Sequence, residues 1–469
     1  MPQIVVLGGG VCGLATAMLL ARDGHDVSVL ERDAEPVPAS VDDAWSIWAR
    51  KGVAQFRQPH FLQARVRHTL DRDLPDLRDA LVTAGAARVD PIERMPASIA
   101  DREPRPHDER FVSITARRTT VEYVFARAAE NEPRMTVRRG VEATALAVRH
   151  LDGLAHVTGV RTGSGEELEA ELVVDAMGRN SALPRLLRDA GTAPVPEEAE
   201  DCGFIYYTRF FRSADGSCPE PRTPALLTPM GSFSILTLPS DRETWSVTFF
   251  ISSGDRPLKR LRDAERWRAV LAACPLHAHW LDGEPLSGVL PMAGVLDRYR
   301  RLVSDERPVA TGVALVADAW ACTNPSLARG LALGLDHAAR LRDVARSHLG
   351  NPSDFAQAWD AVTEEEFTPW YRATVATDRA RLAEMEALRT GSGPPQPDDP
   401  GAAVRACFPL AAGRDADLFR SLMEIVGCLT QPAEVLARPG VADRVLALTE
   451  VVELPQPGPS RAELLELLS

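Results

Sequence analysis

The feature that most constrains this chain stands at its beginning. Gly8-Gly9-Gly10-Val11-Cys12-Gly13 is a G-x-G-x-x-G pattern set between the apolar run Ile4 to Leu7 and a helical pattern from Cys12 to Asp23. After Gly24, Val27 to Leu30 reads as a second buried strand that ends on Glu31. Strand, glycine turn, helix, strand and acid in this order describe a β-α-β dinucleotide site. Gly8 allows the tight turn, Gly10 lets the backbone approach a pyrophosphate, and Gly13 lets helix and sheet pack closely. The helix start at Val11 and Cys12 offers free N–H groups and partial positive charge to phosphates, and Glu31 lies where a carboxylate accepts hydrogen bonds from a ribose.

The apolar stretch from Ile4 to Ala21 matches a signal peptide or membrane span in length, but it has no basic leader and is broken by glycines. A chain of 469 residues calls for two or three structural units, interleaved or in series. A net charge of −13 argues against nucleic-acid binding, because phosphate contacts need clustered cations. Seven scattered cysteines, with no C-x-x-C pair and no neighbouring His, argue against a metal site and favour a reduced, cytoplasmic compartment.

Farther along, residues 65–85 and Thr119 to Ala129 read as helices, and 137–147, 154–159 and 172–174 as strands. Phe204 to Phe211, Phe233 to Leu238 and Trp245 to Ile251 alternate as strands of a separate sheet with one buried face. Val313 to Val316 returns to α/β character and feeds a helix over 327–349. The segment 391–401 reads as a linker, and the last seventy or so residues as an all-helical appendage.

Four further segments carry chemistry. Ala317-Asp318-Ala319 follows the strand at 313–316 and is succeeded by Pro325 and by Gly330-Leu331 at a helix start. Val174-Asp175-Ala176-Met177-Gly178-Arg179-Asn180-Ser181 closes another buried strand. Arg50-Lys51-Gly52-Val53-Ala54-Gln55-Phe56-Arg57-Gln58-Pro59-His60 and the pair Arg118 and Glu122 complete the set. Together these resemble the FAD-dependent monooxygenases of the aromatic-hydroxylase-like superfamily. The D-A-x-G-R-x-S form at Asp175 and the R-x-G-V-P-Q-x-R-x-x-H form at Arg50 are similar to FAD-dependent epoxidases and hydroxylases of natural-product pathways. This chain departs from the pattern at Ala54 for a Pro, Ala317 for a Gly, and Ala328-Arg329-Gly330 for a Gly-x-Gly.

The resemblance implies an α/β fold: a Rossmann-like three-layer FAD domain, an inserted mixed β-sheet substrate domain and a C-terminal helical region. The expected division is 1–80, 111–190 and 301–349 for the FAD domain, 81–110 and 191–300 for the substrate domain, and 350–469 for the helical region. It also implies non-covalent FAD, extended from Glu31 at the adenosine end to Asp318 and Gly330 near the isoalloxazine. Arg32, Arg50, Gln55, Arg118, Val141, Asp175, Gly178, Pro325 and Leu331 are assigned to the same cofactor site.

The activity it implies is formation of a flavin C4a-hydroperoxide from dioxygen, followed by hydroxylation or epoxidation of a small organic, natural-product substrate. Electrons would come from NAD(P)H or from a partner flavin reductase. His60, Tyr207 and Arg329 are the catalytic candidates, with Tyr206 and Arg209 beside them, and Phe204, Phe210, Phe233, Trp245 and Phe249 are candidates to line an apolar pocket. Arg329 adjoins the flavin-facing helix start and would add positive charge there. The same scaffold also serves reductases and oxidases acting on carbon–carbon bonds, such as geranylgeranyl-reductase-like enzymes. The W-x-W-x-I-P motif of flavin-dependent halogenases is absent. A flavin-binding sensor without turnover is the remaining alternative.

Overall fold

Five short β-branched runs form a parallel sheet whose order is Val313–Leu315, Leu172–Asp175, Gln3–Leu7, Asp26–Glu31, Met135–Arg139. The computed structural model describes every residue except 1–2, 152, 214, 224, 393–399 and 450–457. Along the first strand, Ile4 and Val6 face one core and Val5 and Leu7 face another. A strand buried on both faces explains the uninterrupted apolar run in the sequence. On the first face lie the helices Val11–Arg22, Arg118–Glu130 and Gly330–His348; the antiparallel hairpin Ala143–Leu151 and Leu154–Thr162 covers the other. The result is the three-layer arrangement that the sequence led us to expect.

Because the strands are parallel and in register, their C-terminal ends share one edge. Leu7 pairs with Leu30 and with Asp175, and Asp175 pairs with Leu315. The glycine turn, Glu31, the loop after Asp175 and the loop carrying Asp318 therefore emerge side by side, although they lie hundreds of residues apart.

The second sheet is antiparallel and built around Phe204–Arg212, Phe233–Pro239 and Thr244–Ser252, with Leu290–Met292 pairing Tyr206 to Thr208. Its outer face carries Tyr207, Phe211, Phe233, Trp245, Val247 and Phe249, which pack on Trp267 of the helix Ala264–Ala272. The inner face carries Tyr206, Thr208, Thr248 and Phe250 and looks toward the first sheet.

Two local differences from the sequence reading have simple causes. The helix expected over 65–85 is two helices, Ala64–Asp73 and Pro75–Thr83, because Pro75 cannot donate to the preceding turn. The single strand expected over 137–147 is split, with Gly140 in the left-handed region between Met135–Arg139 and Ala143–Leu151. The expected linker at 391–401 lies mostly outside the described residues. Beyond it, helices Pro400–Ala412, Ala416–Val426 and Val441–Ala447 form a small core of their own. The 23-residue helix Thr368–Thr390 instead lies against the central sheet through Leu382 and Met385.

Candidate functional site

One cavity of about 330 Å³ runs along the shared sheet edge and continues beneath the inner face of the second sheet. Gly8, Gly10, Val11, Cys12, Gly13, Glu31, Arg32, Arg50, Gln55, His60, Arg118, Val141, Gly178, Asp318, Pro325, Gly330 and Leu331 all line it. Sixteen of the seventeen cofactor residues expected from sequence thus share one wall system; Asp175, the exception, is buried behind it.

The backbone at the pyrophosphate end is shaped by absent side chains. A Cβ on Gly10 would meet nothing within 4 Å, so this position opens on the cavity, whereas a Cβ on Gly13 would stand 2.0 Å from the Gly8 carbonyl oxygen. The first leaves room for a ligand and the second lets the helix start abut the turn. Asp175 holds the neighbouring loop: one carboxylate oxygen accepts from the Met177 N–H at 2.9 Å and the other from the Ser181 hydroxyl. Burial pushes its carboxyl up to about 6, and the Ser181 and Met177 hydrogen bonds oppose that rise.

At the ribose end, Glu31 accepts from the Gly9 N–H at 2.9 Å, the Asp33 N–H at 2.8 Å and Arg50 at 2.7 Å. Arg50 is buried and also reaches Asp33 and Glu122, both at 3.2 Å. Glu122 in turn takes Nε and Nη2 of Arg118 at 2.9 and 2.6 Å. A buried arginine left without such carboxylates would be costly, so this chain of charges fixes both guanidinium groups against the cavity wall. Asp33 is a member that the sequence reading missed; its closeness to Arg50 depends on the return of the 50–60 segment across the sheet edge.

Asp318 lies beneath the surface, facing the cavity, and its carboxylate accepts no hydrogen bond from the described residues. Burial raises its pKa above the ordinary carboxylate value, with the Arg118 and Arg179 charges opposing. A free carboxylate facing a cavity suits a polyol hydroxyl. Ala317, ahead of it, has φ +51°, and Ala328, ahead of Gly330, has φ +52°. These are the two positions where the resembled family carries Gly, so the chain keeps the left-handed turns with residues that are strained in them. His337 helps hold the first: its Nδ1 accepts from the Ala317 N–H at 3.2 Å, and burial lowers its basicity to about 3, keeping the ring neutral.

The three catalytic candidates do not come together. His60 lines the cavity, but its Nδ1 donates to the Gln58 carbonyl at 3.2 Å and its Nε2 accepts from Arg118 at 3.2 Å. Desolvation and the Arg118 charge lower it to about 3, so it is a neutral acceptor that orients Arg118. Tyr207 is corrected: it points to the outer face of its strand, where its hydroxyl donates to the Lys259 carbonyl at 3.3 Å. Arg329 is corrected as well. Its guanidinium turns away from the cavity, donates to the Thr374 hydroxyl at 2.8 Å and lies 5.1 Å from the Trp370 ring centre.

Three of the five aromatic expectations fail by the same period of two. Phe233, Trp245 and Phe249 belong to the outer core, Phe204 and Phe210 are buried without lining the cavity, and Arg209 stacks over Trp267 on the outer side. The apolar lining comes from Leu236, Leu238, Phe250, Met292 and Val295.

Residues 3–49 match the FAD dependent oxidoreductase family. That match spans the glycine turn, the first helix and Glu31. The cavity is therefore read as a flavin site, and the residues present fit FAD: an open glycine turn at a helix start, an acid at the ribose end and an unpartnered carboxylate farther along. This flavoprotein is 26% identical over 354 residues to Protein Rv3254 of Mycobacterium tuberculosis, covering 73% of each chain. Its fold resembles p-nitrophenol 4-monooxygenase PnpA of Pseudomonas putida, with 16% identity and a TM-score of 0.59 over 92% of this chain and 100% of that one. It also resembles the Diels-Alderase PyrE3 of pyrroindomycin biosynthesis, with 18% identity and a TM-score of 0.59 over 92% of this chain and 81% of that one. Among the described residues, no helix is long and apolar enough to cross a membrane and no cluster of side chains suits a metal ion.

Proposed function

We propose that this flavoprotein is a monooxygenase acting on a small organic substrate. The observation that carries the reading is the continuity of the cavity: the residues fitted to FAD and the apolar inner face of the second sheet line the same enclosure. When bound and reduced, FAD supplies the two electrons with which dioxygen is activated. The chain's own task is to orient and to exclude water. Leu236, Leu238, Phe250, Met292 and Val295 provide an apolar wall on which a substrate lies while water is displaced.

Arg118, fixed by Glu122 and His60, holds positive charge at the cavity edge, and the start of the Gly330–His348 helix adds N–H groups. None of the cavity histidines acts as an acid at neutral pH, since His60 and His337 are both held neutral. The reading therefore assigns positioning, and no strong proton donor, to the protein. A natural-product substrate and electrons from NAD(P)H or a separate flavin reductase are parts of the same proposal. PnpA, a protein of this fold named as a monooxygenase, supports it.

The test is isotopic. With oxygen-18 gas the product should gain one labelled oxygen, and none with labelled water. Turnover under strict exclusion of dioxygen, giving a product heavier by two hydrogens, would overturn it in favour of the reductase alternative.

A further inference from the structure

The inner wall of the second sheet carries two buried hydroxyl groups that line the cavity, Tyr206 and Thr248, which are 4% and 2% exposed. Their neighbours set the direction of their hydrogen bonds. Asp378, on the helix Thr368–Thr390, accepts at one carboxylate oxygen from Asn324 Nδ2 at 3.0 Å and from the Ser326 hydroxyl at 2.7 Å. Above its pKa of about 6 the carboxyl is ionised and both its oxygens only accept; the second is buried and has no partner. The amide of Asn324 is thereby fixed, with its Oδ1 turned to the Tyr206 hydroxyl. An amide oxygen only accepts, so Tyr206 donates its one proton away from the cavity.

Thr248 is arranged in the same sense. The Thr208 hydroxyl donates to Gln58 Oε1 at 2.7 Å, so the 2.8 Å contact between Thr208 and Thr248 must be donated by Thr248. Both hydroxyls have spent their protons inward and offer only lone pairs to the cavity.

We infer that the Tyr206 and Thr248 hydroxyls form an acceptor-only pair in the cavity wall that selects, among apolar ligands placed against it, those carrying a hydroxyl or amino N–H donor, with Asn324 and Asp378 as the positioning residues that set the polarity of Tyr206. The inference rests on the monooxygenase reading for its choice of ligand but concerns binding alone. Asn324 has no proton to lose to Tyr206 except through an unstable amide tautomer, so the arrangement orients a ligand and does not conduct protons. An ether or ketone at the same position would bring a second acceptor against the lone pairs of the wall, which leaves buried acceptors unpaired.

The test uses holoenzyme and two probes, 2-naphthol and its methyl ether, with binding read from the perturbed visible spectrum of the bound flavin and without turnover. The naphthol should bind roughly ten-fold more tightly than the ether, about 1.4 kcal/mol. Tyr206→Phe should cut that preference several-fold. Asn324→Leu is the second variant: it frees the Tyr206 proton to point into the cavity, so the ether should gain affinity relative to the naphthol. Equal binding of the two probes by the wild type, an unchanged preference in Asn324→Leu, or no perturbation of the flavin by either probe overturns the inference. A failed oxygen-label experiment with the probe preference intact would instead sink the monooxygenase reading alone.

Discussion

Asp378→Asn should make the protein more stable relative to wild type as pH rises, and the size of the effect follows from the burial of this carboxyl. Asp378 is 3% exposed, and one of its oxygens has no partner. Desolvation holds it at about 6, against an ordinary 3.8, while the hydrogen bonds from Ser326 and Asn324 and the Arg329 charge oppose the rise. A carboxyl whose folded pKa is raised costs nothing below pH 3.8, where both states are protonated. The unfolded chain then loses its proton first, and the folded state is progressively penalised until the pH has passed 6. The full penalty is about 3 kcal/mol, of which about 1.4 kcal/mol develops between about pH 5 and about pH 8.

Asparagine keeps the acceptor for Asn324 and Ser326 and does not titrate. Its buried NH2 group also lacks a partner, but that cost is the same at every pH. The measurement is urea unfolding of both proteins, saturated with FAD, at the two pH values. The stability difference between variant and wild type should shift toward the variant by about 1.4 kcal/mol from the lower pH to the higher. A difference that is constant, or that moves the other way, would show that burial does not raise the pKa of Asp378.

Other substitutions probe the cofactor end. Asp318→Ala should weaken FAD binding by about 1–3 kcal/mol in a fluorescence titration, through loss of a charge-assisted hydrogen bond, and unchanged affinity would mean that the carboxylate faces no cofactor hydroxyl. Gly10→Val should do more harm, since its side chain would occupy the space left open there; retention of full FAD content would refute the placement. Arg329→Ala should leave the flavin midpoint potential unchanged yet lower stability by about 2–4 kcal/mol, because its guanidinium is buried against Thr374 and Trp370 and turned from the cavity. A lowered potential would restore the direct role expected from sequence. Ala328→Gly should relieve left-handed strain of about 1–2 kcal/mol against an unfolded-state entropy loss of about 0.4–1 kcal/mol, so thermal unfolding should rise slightly or stay level; a clear fall would contradict the strain.

What the sequence made legible was the part governed by backbone rules. A glycine turn between a strand and a helix admits few geometries, and parallel strands in register must deliver Glu31, Asp175 and Asp318 to one edge. What it concealed was side-chain direction. Tyr206 and Tyr207 are equivalent in composition, and period two says only that they oppose each other. The choice is settled by Trp267, whose helix covers the Tyr207 face and whose indole N–H donates to the Tyr207 carbonyl at 3.1 Å. The large aromatics mark the face that needs covering by a helix, so Phe233, Trp245 and Phe249 went to that core and left the smaller, more polar set to the cavity. Arg329 misled for a related reason: its backbone precedes the flavin-facing helix start, but its side chain leaves in the opposite direction.

The helix Thr368–Thr390 shows why the C-terminal region could not be assigned from chain order. Nothing near Asp378 in sequence suggests a site, for its neighbours alternate as on any amphipathic helix. Its meaning comes from Asn324 and Ser326, which flank Pro325 and both donate to the same carboxylate oxygen. The loop between Asp318 and Gly330 is thus tied at two points to a helix fifty residues later, and the Asn324 N–H is tied at 2.7 Å to Asp297 on a third element. A loop holding left-handed Ala328 and leading into the helix start at Gly330 would relax if those ties were cut, because alanine gains by leaving that conformation. The unsatisfied oxygen of Asp378 is then understandable as the cost of a group that must accept twice at its other oxygen and still fit in a closed wall. Its energetic penalty and its orienting role have one cause, the exclusion of water from the back of the cavity.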